Sequence, residues 1–252
     1  MTQVGIHFRE AQGPRRMRLY AIGDVHGRLD LLVEMHRRIA ADIEQAAERP
    51  DWRIVHLGDY VDRGPDSKGV IDFLIAATER DPRNIVLAGN HDACFLDFLA
   101  RPDIDSVFAR HGGRQTARSY GVDLDLGSEE SMRHGWIELT AAMPDRHMTF
   151  LRGLSYSASL GDFFFCHAGI RPGVPLDRQS PDDLIWIRQI FHDHTGLYEK
   201  IVVHGHTPVP APEVLANRVN VDTFAWQSGR LTALAIDGAD KRILTVTGKA
   251  AG

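Results

Sequence analysis

Short apolar runs alternate with helical patterns near the start of the chain, and each run stops at a polar block. Residues 18–23 (Arg-Leu-Tyr-Ala-Ile-Gly) form the first run, and Leu32, Met35, Ile39 and Ile43 then recur at helical spacing. A second run at 53–57 precedes Val70, Phe73, Leu74 and Ala77, again one helical face, and a third run covers 84–88. Asp30 falls in the first helix's opening turn, where a carboxylate suits the dipole. This rhythm predicts parallel βαβ units and an α/β class. Residues 94–151 differ: helical patches at 95–99, 107–110, 114–120 and 132–143 are broken by Pro102, Gly112-Gly113, Gly121 and Gly127. They predict a helical insertion packed over one side of the strand ends. Beyond it, strands are predicted at 154–160, 163–167, 201–204, 218–222, 231–236 and 242–246, with one short helix at 184–191. Without an internal repeat or clear linker, residues 18–252 are expected to form one domain, with the insertion at about 93–151.

Composition narrows the class without naming a chemistry. The 252 residues are 43% hydrophobic and 25% charged, with a net charge of −5. That balance gives no general attraction to nucleic acid or an anionic membrane. Cys94 and Cys166 are too few for a disulfide framework, and a reducing cytoplasm is the expected compartment. Residues 1–17 are polar, carry Arg9, Arg15 and Arg16, lack the apolar centre of a signal peptide, and are expected to be a flexible tail. No apolar run approaches a membrane span. Oligomeric state is not legible.

The polar blocks carry the chemistry. Ligand sites in parallel α/β sheets gather at the carboxyl ends of strands, and there lie Asp24 and His26, Asp59, Asn90 and His91, His167, and His204 with His206. Carboxylates, imidazoles and an amide carbonyl suit Mn, Fe or Zn better than Ca, and thiolates of a structural zinc site are missing from the set. So many donors exceed the needs of one ion, and a shared carboxylate would join two. Two ions roughly 3.5–4 Å apart bind phosphate and lower the pKa of a bridging water. Arg63, in the loop after Asp59 and Asp62, could hold an anion beside them. Any one of these residues alone reads better as surface or packing. His56 reads as a packing residue, and His204 as packing or as a support beside the ligands rather than as a ligand itself.

Five blocks together resemble a known family. Gly23-Asp24-Val25-His26-Gly27, Gly58-Asp59-Tyr60-Val61-Asp62-Arg63-Gly64, Gly89-Asn90-His91-Asp92, His167-Ala168-Gly169 and Gly205-His206-Thr207-Pro208 resemble, in order, the motifs of calcineurin-like metallophosphoesterases. Within these, they resemble the phosphoprotein phosphatase branch, and the likeness runs from about 18 to 246. The resemblance implies a two-sheet αββα sandwich with a helical insertion over the active site. It implies two divalent ions per chain, with Mn first and Fe or Zn as alternatives. Asp24 and His26 would bind the first, Asp59 both, and Asn90, His167 and His206 the second. A hydroxide bridging the ions would attack phosphorus. His91 would protonate the leaving oxygen, with Asp62 holding its imidazole, and Arg63 and Arg188 would grip the phosphate.

The departures shift the substrate question. Asp92 stands where eukaryotic protein phosphatases usually carry Glu, Ala168 where they carry Gly, and Pro208 where broader metallophosphoesterases often carry a further histidine. These features and residues 113–121 resemble bacterial serine/threonine phosphatases and the symmetrical diadenosine tetraphosphatases. Asp222-Thr223-Phe224 resembles an Asp-Thr-Gly block of that branch, with Phe224 in place of glycine. The leading expectation is a phosphatase of phosphomonoesters, phosphoserine or phosphothreonine in proteins, with a hydrolase of diadenosine tetraphosphate or related nucleotides as the alternative. A phosphate-binding scaffold is the third reading, disfavoured by the His91–Asp62 pair.

Overall fold

Leu19 and Ala21 point one way from the first strand, Tyr20 and Ile22 the other, and all four are buried. A strand of this kind lies between two packed layers. The computed structural model describes residues 5–46 and 50–250. In chain order, β1 (Met17–Ile22), α1 (Leu29–Glu44), β2 (Asp51–His56), α2 (Ser67–Arg80) and β3 (Asn84–Val86) form the βαβαβ opening. The insertion supplies α3 (Asn90–Ala100), α4 (Val107–Arg110), α5 (Gly113–Ser119), α6 (Glu129–Ala142) and α7 (Asp145–Arg152). There follow β4 (Ser157–Leu160), β5 (Phe163–Cys166), α8 (Pro181–Trp186), α9 (Gln189–His192), β6 (Ile201–His204), β7 (Glu213–Val214), β8 (Arg218–Asn220), α10 (Ala225–Ser228), β9 (Arg230–Asp237) and β10 (Asp240–Thr247).

The strands make two five-stranded sheets, β10-β9-β1-β2-β3 and β4-β5-β6-β8-β7. One face of the first sheet, with Tyr20, Ile22 and Ile54, packs on Leu32, Met35 and Ile39 of α1 and on Val70 and Leu74 of α2. Its other face meets Phe163, Phe165, Val203 and Val221 of the second sheet. The far face of that sheet, with Phe164 and Val202, is covered by Leu184 of α8 and Phe191 of α9. The result is the αββα sandwich. Each of these fully buried aliphatic and aromatic side chains contributes about 1.5–3 kcal/mol relative to exposure.

Three local expectations change. The single helix at 184–191 is two, because Ile187 is extended and sinks into the core beside Phe164 and Phe191. Arg188 therefore sits at a break between helices. β7 is a two-residue edge strand, too short to leave a periodic signature. The described part of the N-terminal stretch is seated rather than loose: Ile6 N–H donates to Tyr198 O at 2.9 Å, Phe8 N–H to Ala216 O at 2.8 Å, and Ala11 is buried. Residues 1–4 lie outside the described residues. The insertion shares its core with Val61 and with Ile71 and Ile75 of α2, through Phe95, Phe108 and Leu139. Among the described residues, no helix is long and apolar enough to cross a membrane.

Candidate functional site

The loops after β1, β2, β5, β6 and β8, with the start of α3, converge on one cleft of about 220 Å³. Asp24, His26, Asp59, Arg63, Asn90, His91, Arg188 and His206 all line it. Backbone conformation is unusual here. His26, Asp59, Asp62, Arg63, His206 and Phe224 all have positive φ, between 44° and 71°. Such conformers cost free energy in non-glycine residues and concentrate at functional sites. Close backbone approach lets the loops meet. Gly58 has φ +109°, and a Cβ there would lie 2.6 Å from Gly89 N. A Cβ on Gly205 would lie 2.0 Å from Asp24 Oδ1.

Two clusters could each hold a metal ion, His26–Asp59–His91 and Asp59–His167–His206, and Asp59 belongs to both. In the second, His167 Nε2 lies 2.9 Å from Asn90 Oδ1 and 3.2 Å from His206 Nδ1, and His206 Nδ1 lies 2.8 Å from Asn90 Oδ1. His26 Nδ1 donates to Val61 O at 2.7 Å and His167 Nδ1 to Leu57 O at 3.0 Å, since a carbonyl can only accept. Each thereby turns an Nε2 lone pair toward Asp59, at 3.4 Å and 3.5 Å. Backbone carbonyls commonly fix metal-binding histidines in this way. Burial pushes His26 down to about 3 and His206 to about 2, and lowers His167 as well, so these imidazoles are neutral, the state a metal needs. The carboxylates call for a cation. Asp24, Asp59 and Asp222 are almost wholly buried together, and burial, then Asp222 and Asp59, drives the Asp24 pKa well up. The donor set therefore fits divalent ions.

His91 behaves differently from its neighbour His26, although their rings stand edge to face at 4.7 Å. His91 Nδ1 meets Asp62 Oδ2 at 2.7 Å. Burial lowers its pKa, but Asp59 and the Asp62 hydrogen bond outweigh that, and the net shift is upward. Two imidazoles of one cluster are thus shifted in opposite directions by their surroundings. Asp62 is braced in turn. Thr116 Oγ1 donates to Asp62 Oδ1 at 2.8 Å and accepts the Asp62 N–H at 2.8 Å. Arg63 Nη2 lies 3.4 Å from His91 Nε2, and Arg188 Nε donates to His206 Nε2 at 2.8 Å.

Asp24, expected beside His26, is absent from the first cluster. Nor is it in the second: its carboxylate accepts the backbone N–H of His206 at 3.1 Å and 3.3 Å, and the missing Cβ of Gly205 leaves room for it. His204 is buried with its ring edge-on to Phe191, a packing position. His56 stacks on His36 in the core. Three residues received no role from sequence. Asp92 accepts the N–H groups of Asp59, Tyr60 and Gly89, each at 2.9 Å, and so pins the Asp59 loop. Asp222 follows β8, and the strand-end rule that found the other residues covers it too. Thr116 reaches the site from the insertion and carries no local signal.

A family model described as calcineurin-like phosphoesterase matches residues 17–234. The chain belongs to the calcineurin-like phosphoesterase family. Its members use divalent metals to hydrolyse phosphoester bonds. Among its relatives are bis(5'-nucleosyl)-tetraphosphatases PrpE, named as asymmetrical. The one from Oceanobacillus iheyensis is 26% identical over 86% of this chain and 88% of that protein. The one from Anoxybacillus flavithermus is 28% identical over 84% and 88%. Among solved structures, one provisionally assigned as a diadenosine tetraphosphatase covers 92% of this chain and 94% of its own at TM-score 0.64 and 21% identity. A protein serine/threonine phosphatase from Saccharomyces cerevisiae covers 97% and 87% at TM-score 0.51 and 12% identity. At these identities the structural likenesses show the fold alone.

Proposed function

We propose that this chain is a divalent-metal-dependent hydrolase of dinucleoside polyphosphates, diadenosine tetraphosphate among them. The observation that carries the reaction class is the pair of clusters sharing Asp59, with Arg63 and Arg188 beside them. The relatives' names supply the substrate class. They favour the nucleotide alternative over the phosphoprotein reading, for which a fold shared at 12% identity offers no support.

Asp24 and His26 would hold one ion, Asn90, His167 and His206 the other, and Asp59 both, with Mn as the proposed metal. When bound, the ions supply Lewis acidity toward phosphoryl oxygens and a water ready to lose its proton near neutral pH. The chain's own residues do the rest. Arg63 and Arg188 present planar, permanently charged forks to the phosphate oxygens. His91, kept protonated by Asp62, donates its Nε2 proton to the departing oxygen, and Asp62 Oδ2 holds the ring in place through Nδ1. Asp92 fixes the Asp59 backbone so that its carboxylate faces both clusters.

The test is hydrolysis of diadenosine tetraphosphate by Mn-loaded protein, with products separated by chromatography and a phosphoserine peptide run in parallel. AMP plus ATP is the expected outcome, since an asymmetrical cut leaves unequal halves. Faster turnover of the phosphopeptide, with the dinucleotide left intact, would sink the proposal. Metal analysis should return two ions per chain, and Asp59→Asn should lose activity together with most of the metal.

A further inference from the structure

Phe224 is an aromatic residue in a left-handed conformation, with φ 63° and ψ 45°. That region suits glycine and disfavours a bulky side chain. The surrounding turn imposes it. Phe224 N–H donates to Asp222 Oδ1 at 2.9 Å, and Phe224 O accepts from Gln227 N at 3.0 Å and Ser228 N at 2.8 Å. From the other side, the buried Arg28 guanidinium donates to Ala225 O at 2.9 Å. The backbone would hold this shape more easily with glycine, so the fold does not explain the ring.

The ring's place does. Phe224 and Trp226 both line the cleft that carries the metal-binding candidates and the two arginines. Their rings stand edge to face with centroids 5.0 Å apart, and the Arg63 guanidinium carbon lies 5.3 Å from the Trp226 centroid. Both side chains are only half-buried. An aromatic wall thus continues from a phosphate-binding arginine to the rim. A cleft of about 220 Å³ is small for a whole dinucleotide, so part of such a substrate lies outside it, and Phe224 and Trp226 are half-buried aromatic side chains in its lining.

We propose that Phe224 and Trp226 form a stacking wall for the nucleobase attached to the phosphate held by Arg63. This rests on the nucleotide reading given above and deepens it: the wall selects a substrate with a flat heteroaromatic base over a bare polyphosphate. Aromatic side chains stack on any base through its π-face, so the wall favours nucleotides as a class.

Two non-hydrolysable ligands isolate the base: adenosine 5'-(α,β-methylene)diphosphate and methylenediphosphonate, the same diphosphonate without adenosine. Their dissociation constants are measured by calorimetry on Mn-loaded wild type, Phe224→Gly and Trp226→Leu. Phe224→Gly should weaken the adenosine ligand about 5- to 150-fold, the range of one base–aromatic stack, and leave the diphosphonate within about twofold. Its melting temperature should not fall, because glycine relieves the backbone. Trp226→Leu should weaken the adenosine ligand in the same direction and covers the case of a poorly folded glycine variant. Equal weakening of both ligands, or unchanged adenosine affinity in both variants, overturns the wall. Equal binding of the two ligands by wild type also overturns it, whatever the reaction. If wild type shows the adenosine preference and the variants lose it, yet diadenosine tetraphosphate is not cut, the wall stands and the proposed reaction fails.

Discussion

Two histidines of the cleft are held by unlike surroundings. His91 Nδ1 meets Asp62 Oδ2 at 2.7 Å, and Asp62 is itself fixed by Thr116 and, through its N–H at 3.2 Å, by Ser67. That corner draws on α2, α3 and α5 and is buried throughout. His206 Nε2 instead takes an N–H from Arg188, an exposed residue in the break between α8 and α9. With Nε2 accepting, a neutral His206 carries its proton on Nδ1, facing Asn90 Oδ1. If His206 were to hold a metal through Nδ1, as the proposed function has it, its proton would have to sit on Nε2, and Arg188 would have to leave the ring. The His91 corner is therefore built to stay and the His206 corner to change. On the proposed roles this contrast makes sense: a proton donor would need one geometry, whereas a phosphate clamp would take up and let go of its anion.

The largest effect expected from breaking this contrast comes at the fixed corner. General acid catalysis is typically worth 10²–10⁴-fold. His91→Asn should lose about that much on an alkyl phosphomonoester such as a phosphoserine peptide, whose leaving oxygen needs the proton. The loss should be much smaller on diadenosine tetraphosphate, whose phosphoanhydride oxygen leaves readily as an anion. Metal content should stay at the wild-type level. Equal losses on both substrates, or a loss of metal, would remove His91 from the acid role. Asp62→Asn should show the same substrate pattern more weakly. It also removes the Asp62 charge, which helps raise the His91 pKa. The protonated form is lost as pH rises through that pKa, so the alkaline limb of the rate profile should move to lower pH.

The movable corner gives the next effect. Hydrogen bonds to charged groups contribute about 1.5–3 kcal/mol, so Arg188→Ala should raise KM roughly 10- to 100-fold on any phosphate substrate, with kcat less affected. Metal binding should not weaken, since the variant leaves His206 free to choose its tautomer. A titration in which Arg188→Ala loses metal would make Arg188 a brace, and the contrast between the corners would collapse.

Sequence revealed these two corners unequally. The strand-end blocks were legible because each follows an apolar run, and polar residues at such ends face one another wherever parallel strands share a sheet. That logic groups Asp59 with His91, whose strands share a sheet, whereas His206 follows a strand of the second sheet and joined them only through the family resemblance. It did not show that the Asp24 carboxylate accepts the His206 N–H, a contact made at a turn far along the chain. Arg188 was legible as a residue but not as one at a helix break, where Ile187 joins the core cluster of Phe164. Thr116 was not legible at all: a threonine inside a predicted helix has no signature that ties it to a carboxylate 54 positions earlier.

Thr116 therefore supplies the smallest and most discriminating test. Valine matches the shape of threonine and lacks the hydroxyl. Thr116→Val leaves Asp62 N–H with only Ser67 Oγ at 3.2 Å, and leaves Asp62 Oδ1 without the donor that Thr116 supplied at 2.8 Å. Leaving buried polar groups unpaired costs about 1–3 kcal/mol, which for a chain of this size lowers Tm by about 2–4 °C per kcal/mol. A structural role alone would stop there. If the insertion braces the proton donor, the variant must also lose a few-fold in kcat on the phosphoserine peptide and less on diadenosine tetraphosphate, the pattern of His91→Asn in miniature. A thermal melt together with the ratio of the two losses separates the cases. A lowered Tm with a ratio of one would leave α5 as packing, and the His91 corner would then be no more fixed than the His206 corner.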